Sequence, residues 1–256
     1  MRTQASQILP MSRRIIEIRE GAFLVSDAHY SDFRPEFVDF LVAIRAGRLQ
    51  PTQIILMGDV FDALFGQIPY THHVNDTAIN ILNELSRKIE IIYLEGNHDF
   101  NLKSIFPRMK LFGIENQPVE CSYKEKKIYL AHGDFGNSIT YKIYTKIIRS
   151  SVVLHLLSFM DFVSNHAIVK KLDNYLSQKN DCRKIKNFED IIHSHLFGRY
   201  ECDYFLEGHF HQNRKVFFEN FEYINLGAFA CNQRYFIVKS IQDKELLEEK
   251  MFSKEI

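Results

Sequence analysis

The 256 residues suffice for one domain, or one domain carrying an insertion, and a hydrophobic share of 46% supplies a sizeable core. The 32 basic side chains balance 32 acidic ones, so no global charge argues for a nucleic-acid partner. Four cysteines, Cys121, Cys182, Cys202 and Cys231, lack any C-x-x-C spacing and are expected as reduced thiols of a cytosolic chain, not as a disulfide scaffold.

Residues 1–20 mix polar and apolar side chains with Arg13, Arg14 and Arg19 and show no signal-peptide pattern. They read as an N-terminal extension or first strand, in which 1–10 are a tail and Met11 a candidate start. Residues 22–26 (AFLVS) predict a buried strand that ends at DAHYSD. Helical spacing follows over 36–46, with Gly47 as its stop signal. A second buried strand, 53–57, ends at GDVFD; a helix over 76–88 has Asp76 near its start; a third strand, 89–94, ends at GNHD. This alternation predicts an α/β fold with a parallel core, whose ligand site lies beyond the carboxyl ends of the strands. Residues 119–123 and 127–131 flank KEKK as a hairpin, and the second of them runs into His132-Gly133-Asp134. Residues 139–201 lack strand signals and read as a helical insertion between two parts of one core, 21–138 and 202–256. The longest apolar stretch, 152–163, is too short and interrupted to span a bilayer.

Five polar clusters each end an apolar strand: Asp27-x-His29, Gly58-Asp59, Gly96-Asn97-His98-Asp99, His132-Gly133-Asp134 and Gly208-His209-x-His211. Carboxylate, amide and imidazole without thiolate suit manganese, iron, zinc or magnesium, and not a cysteine-type structural zinc. In extended chain an i, i+2 pair shares one face, so Asp27 with His29, and His209 with His211, can converge. Seven candidate ligands exceed the need of one tetrahedral ion; they match two ions sharing a carboxylate, an arrangement suited to phosphoester cleavage. His193 and His195 repeat the spacing inside a predicted helix, where i and i+2 diverge. His72 and His73 are expected at a loop or rim, and His155 and His166 on the surface or in the core.

D-x-H, G-D-x-x-D, G-N-H-D, H-G-D and G-H-x-H in this order resemble the calcineurin-like metallophosphoesterases, over about 22–136 and 202–240. The resemblance implies a β-sandwich flanked by helices and two divalent ions, manganese first, with iron, zinc or magnesium as alternatives. It implies that Asp27, His29, Asp59 and His211 hold one ion and that Asp59, Asn97, His132 and His209 hold the other. His98 would face the phosphate as proton donor or charge stabiliser, with Asp99 orienting it. The related alternatives are a phosphoesterase for another monoester, diester or nucleotide, and a binding protein on a retired fold; the second conflicts with an intact set of ligands.

Residues 141–163 carry two apolar faces: Ile143, Ile147, Leu154 and Leu157 on one, Ile148, Val152, Val153, Leu156 and Phe159 on the other. A helix apolar on more than one side wants a further partner, an acyl chain or a membrane among them. Lys170, Lys171, Lys179, Arg183, Lys184 and Lys186 follow, a composition that suits an anionic lipid surface. With Leu226-Gly227-Ala228 and Tyr141, this resembles the UDP-2,3-diacylglucosamine hydrolase branch. In that branch a helical cap holds acyl chains and the pyrophosphate is hydrolysed to lipid X and UMP. The branch usually has Arg where this chain has His98. The resemblance implies a lipid-nucleotide substrate met by Asn97, His98 and Tyr141, and a cytoplasmic protein peripheral to the inner membrane. It implies no nucleic acid and no obligate protein partner.

Overall fold

A computed structural model describes residues 15–134, 139–240 and 245–254. The strands at its centre are short, apolar and β-branched: β2 (Phe23–Val25), β3 (Ile54–Leu56) and β5 (Ile91–Leu94) are buried along their whole length. Such runs fit a sheet covered on both faces. They pair in parallel with one another and with β7 (Lys110–Phe112). Antiparallel β13 (Arg234–Val238) and β14 (Leu247–Met251) complete a six-stranded sheet of order β14-β13-β2-β3-β5-β7.

The second six-stranded sheet has the order β1-β8-β9-β10-β12-β11. It contains β1 (Ile16–Glu17), the hairpin β8 (Val119–Tyr123) and β9 (Lys126–Ala131), then β10 (Tyr204–Glu207), β11 (Arg214–Phe217) and β12 (Glu222–Asn225). A small pair of β4 (Leu64–Phe65) and β6 (Asp99–Phe100) lies apart. Leu24, Ile55, Ile92 and Leu94 of the first sheet share a core with Ile128, Leu130, Leu206 and Ile224 of the second, which makes the molecule a sandwich.

Helices cover both outer faces. α1 (Glu36–Arg45) buries Phe37, Phe40, Leu41 and Ile44, the i, i+3, i+4, i+7 stripe of an amphipathic helix. Gly47 stands one residue past its cap, Ala46. α2 (Pro69–Val74) and α3 (Asp76–Leu85) follow on the same side, and Ala78, Ile79 and Leu82 of α3 join Phe40 in one cluster. On the other face α7 (Phe188–Leu196) packs Phe188, Ile192 and Leu196 against Phe205 and Tyr223.

Between β9 and β10 the chain also forms α4 (Ile139–Ile148), α5 (Ser151–Val163) and α6 (Ala167–Ser177). Leu154 and Val169 pack on Ile68 and Phe100 of the core. The outer side of these helices is apolar as well: Val152, Leu156, Phe159, Phe162, Val163 and Tyr175 are exposed. Ile143 and Ile147, on the face that helical spacing groups with Leu154 and Leu157, are also exposed. No single described helix is long and apolar enough to cross a membrane.

The reduced-thiol expectation fails for two cysteines. Cys182 and Cys231 form a disulfide across 49 residues, whereas Cys121 and Cys202 are free and buried. Sequence spacing missed the pair because the fold alone brings together the segment after α6 and α8 (Phe229–Asn232).

Candidate metal centre

The five polar clusters leave the carboxyl ends of β2, β3, β5, β9 and β10 on one rim. Three groups of ligand atoms form there among the described residues: Asp27, His29 and His211 in one, Asp59, His132 and His209 in another, and His29 with Asp62 and His98 in a third that shares His29 with the first. The first two groups hold six of the seven expected ligands, and Asp59 stands in the second of them only. Asn97 Oδ1 lies 3.3 Å from His132 Nε2, on the side of the second group.

Three of the five loops bend sharply at the ligands they carry. Asp27, His29, Asp59, His209 and His211 all have positive φ, between 45° and 61°. L-residues avoid this region, and such strain is held only where the surroundings over-determine it. The surroundings here are hydrogen bonds. Asp27 N–H donates to the Gly58 carbonyl at 3.1 Å, His29 N–H to the Asp59 carbonyl at 3.0 Å, and His209 N–H to Asp27 Oδ2 at 3.0 Å. Gly96 permits the closest approach, since a Cβ there would collide with Asp59 Oδ1 and its backbone nitrogen.

The histidine tautomers follow from carbonyl neighbours, which only accept. His132 Nδ1 donates to the Met57 carbonyl at 2.9 Å, and His211 Nδ1 to the Asp181 carbonyl at 2.5 Å. Their Nε2 atoms therefore face the centre, 3.3 Å from Asp59 Oδ2 and 3.0 Å from Asp27 Oδ1. His29 Nδ1 meets Asp62 Oδ1 at 3.1 Å, and its buried Nε2 has no hydrogen-bond partner among the described residues. A buried imidazole nitrogen grouped with Asp27 and His211 is a donor suited to a cation, and the oxygen and nitrogen donor set fits divalent ions. Divalent ions bound here would lie between these side chains.

Protons hold the charge balance among the residues themselves. Burial alone would raise the Asp27 carboxyl, but the His211 charge and hydrogen bond pull it down to about 2. Burial acts likewise on Asp59, and His132 and His98 hold it well below the usual range. Burial opposes the charged form of the two partner imidazoles, yet Asp59 lifts His132 to about 10 and Asp27 lifts His211 to about 9. Burial, then the His132 charge, pushes His209 down to about 3. His98 also falls below the ordinary histidine value, chiefly through burial.

The role expected of Asp99 is corrected by the geometry. His98 Nδ1 donates to the Asp62 carbonyl at 2.8 Å, and that contact orients the ring. Asp99 turns away and accepts from the N–H groups of Asp59, Gly96, Val60 and Phe61 and from the Tyr93 hydroxyl. It ties the Asp59 loop to the Asn97 loop. Tyr141 belongs to α4, but its side chain lies outside the described residues. His193 and His195 sit on helix α7, away from these groups; His72 Nε2 meets the Phe65 carbonyl at 2.8 Å from α2. His155 is exposed on α5, and His166 pairs with Asp161 at 2.9 Å and stacks on Tyr70.

Sequence reading assigned no role to several residues that support the centre. Asp62, the last residue of G-D-x-x-D, holds His29, and Arg34 reaches it at 3.4 Å. Arg149 Nη2, at the junction of α4 and α5, donates to the Gly96 carbonyl at 2.8 Å. Asp62 was signalled by its fixed offset from Asp59, whereas Arg34, Arg149 and Asp181 meet the centre only through the fold.

A cavity of about 340 Å³ opens from the centre beneath α4, α5 and α6. Asp62, Asn97 and His98 line its inner end, and Lys179 is the one lysine or arginine among its described lining residues. The remaining wall is mostly apolar, with Phe65, Phe100, Leu154, Leu157, Leu172 and Leu176.

The calcineurin-like phosphoesterase profile matches residues 23–213. The UDP-2,3-diacylglucosamine hydrolase of Blochmanniella pennsylvanica is 25% identical over 86% of this chain and 91% of its own length. That of Photorhabdus laumondii is 23% identical over 73% of this chain and 80% of its own. Among solved structures, the E. coli phosphoesterase Yfce superimposes with a TM-score of 0.44 at 13% identity, over 91% of this chain and 99% of its own. With the profile covering most of the chain, and the centre assembled at the strand ends where the motifs predict it, this protein belongs to the calcineurin-like phosphoesterase family and is a metal-dependent hydrolase.

Proposed function

We propose that this chain hydrolyses the pyrophosphate of UDP-2,3-diacylglucosamine, giving 2,3-diacylglucosamine 1-phosphate and UMP. The observation that carries the proposal is the apolar cavity that begins at Asn97 and His98 and runs under the cap helices. Its volume of about 340 Å³ falls at the small end of ligand sites, and its wall offers acyl chains what they need, apolar surface on which to leave water. The names of the relatives point to the same substrate.

Asp27, His29, Asp59 and His211 would hold one divalent ion, and Asp59, Asn97, His132 and His209 the other, with manganese as the first choice. Two such ions supply charge neutralisation at the phosphoryl oxygens and water of lowered pKa. The chain does the rest. His98, steered by the Asp62 carbonyl, faces the cavity with Nε2. An anionic phosphate beside it raises its proton affinity, and the resulting imidazolium offsets charge on the departing group. Lys179 adds a second positive charge on the cap side of the cavity. Water adds across the P–O–P link, and two phosphate monoesters leave. The exposed apolar side of α5 and α6 would rest on the cytoplasmic face of the inner membrane, where an amphiphilic substrate resides.

His98 supports a second reading, a phosphoesterase for a soluble ester, because the lipid-specific branch usually carries Arg there. One assay separates the two. Purified protein with Mn²⁺ is incubated with UDP-2,3-diacylglucosamine in detergent, and UMP is measured beside bis-p-nitrophenyl phosphate cleavage. The lipid reading expects UMP release. Cleavage of the small diester without UMP would leave only the soluble-ester reading.

A further inference from the structure

The segment between α6 and α7, residues 178–187, reaches the metal centre by a route the proposed hydrolysis does not use. The Asp181 carbonyl accepts from His211 Nδ1 at 2.5 Å. The Asp181 carboxylate takes Arg34 Nη1 at 2.8 Å, and the same nitrogen lies 3.4 Å from Asp62, which holds His29. One residue of the cap linker thus supports both histidines of the group Asp27, His29, His211. Among the described residues the rings of the other group make no hydrogen bond to this linker: His132 leans on Met57 of the core, and His209 is tied to Asp27 only through its backbone N–H.

Cys182, the next residue, is joined to Cys231 in α8. The first turn of α8 donates into the loop that carries Asp27: Phe229 N–H to the Ser26 carbonyl at 2.8 Å and Ala230 N–H to the Asp27 carbonyl at 3.1 Å. A ring closes through Asp27, α8, Cys231, Cys182, Asp181 and His211, whose Nε2 returns to Asp27 at 3.0 Å. The disulfide is the covalent cross-link in that ring, and Cys182 is exposed to a reductant.

We infer that the Cys182–Cys231 disulfide sets the affinity of the Asp27–His29–His211 ion site, so that this site, and not its neighbour, responds to thiol redox state. The inference rests on the dinuclear reading above. A dithiol reductant attacks one sulfur, the S–S bond breaks, Cys182 and Cys231 become thiols, and the reductant closes to its own disulfide. The linker then loosens without leaving: Ile185 N–H still donates to Gln212 Oε1 at 2.8 Å and Lys184 to the Gln212 carbonyl at 3.1 Å. Losing the partner of a ligating histidine weakens metal binding by about 10–100-fold, and a linker partly retained places the effect near the lower bound, about tenfold.

The test is Mn²⁺ binding by equilibrium dialysis on the full chain, oxidised and then reduced with dithiothreitol and desalted. Thiols are counted in denaturant at each stage; with 4 cysteines and one bond, half should be free before reduction and all of them after it. The oxidised protein is expected to bind two equivalents. Reduction should weaken one about tenfold and leave the other unchanged. Arg34→Met, which keeps the disulfide but frees the Asp181 carboxylate, should weaken the same equivalent, as should Cys182→Ser/Cys231→Ser. The reduction arm starts from folded, loaded protein, so it reads even when that double variant does not fold. Unchanged affinities on reduction, equal weakening of both equivalents, or a full count of thiols before reduction would each overturn the inference. Fewer than two equivalents in the oxidised protein would overturn the dinuclear reading, and this inference with it.

Discussion

Three side chains of the G-N-H-D segment divide the work at the centre. Asn97 turns its amide oxygen toward His132, His98 lines the cavity, and Asp99 locks two loops together. His98→Ala should cut turnover by about 10²–10⁴-fold, the usual weight of a positioned proton donor, with metal content unchanged. A lost ion in that variant would make His98 a ligand instead. Asp99→Asn should behave in the opposite way. An amide can satisfy the donors on one side of the group, but its NH₂ would face N–H groups on the other. Leaving such buried donors unpaired should cost at least about 3 kcal/mol, a fall of about 6–12 °C in Tm, read by thermal unfolding. A Tm within a degree or two of the parent would show that the Asp99 bonds do not hold the loops.

At the scale of elements, the short buried strands and amphipathic α1 were legible because period and burial coincide there. IIL and IIYL are apolar at every position, as a strand covered on both faces requires, and the metal ligands follow directly at their ends. The helical content of the cap was legible too, but not its packing. α5 is apolar on two faces, so its sequence could not say that Leu154 turns inward while Val152 and Phe159 turn out. The disulfide and the Arg34–Asp181 pair stayed hidden because their partners are distant along the chain. The cavity yields an element-scale prediction. Leu172→Trp should fill it and reduce UMP release from the diacyl substrate at least tenfold, about the worth of a lost acyl contact. Cleavage of bis-p-nitrophenyl phosphate should stay unchanged. Equal loss on both substrates would show that Leu172 shapes the centre and not an acyl site.

For the whole molecule, the charge balance of the centre couples metal, pH and stability. His132 and His211 hold protons up to about 10 and about 9 because Asp59 and Asp27 face them. In the metal-free protein this pairing stabilises the fold fully below about pH 6.5, the ordinary histidine value, and the contribution is lost as pH rises through the folded values. Bound cations must displace those protons, so apparent Mn²⁺ affinity should climb from about pH 7 to about pH 9, with proton release seen in weakly buffered titrations. A flat affinity profile would contradict the pairing. On the dinuclear reading one rim holds two cations through the Asp59 carboxylate. Anomalous scattering from a crystal grown in saturating Mn²⁺ tests it most directly. The account predicts two manganese peaks about 3–4 Å apart with the Asp59 carboxylate between them; a single peak, or none at this rim, would contradict it.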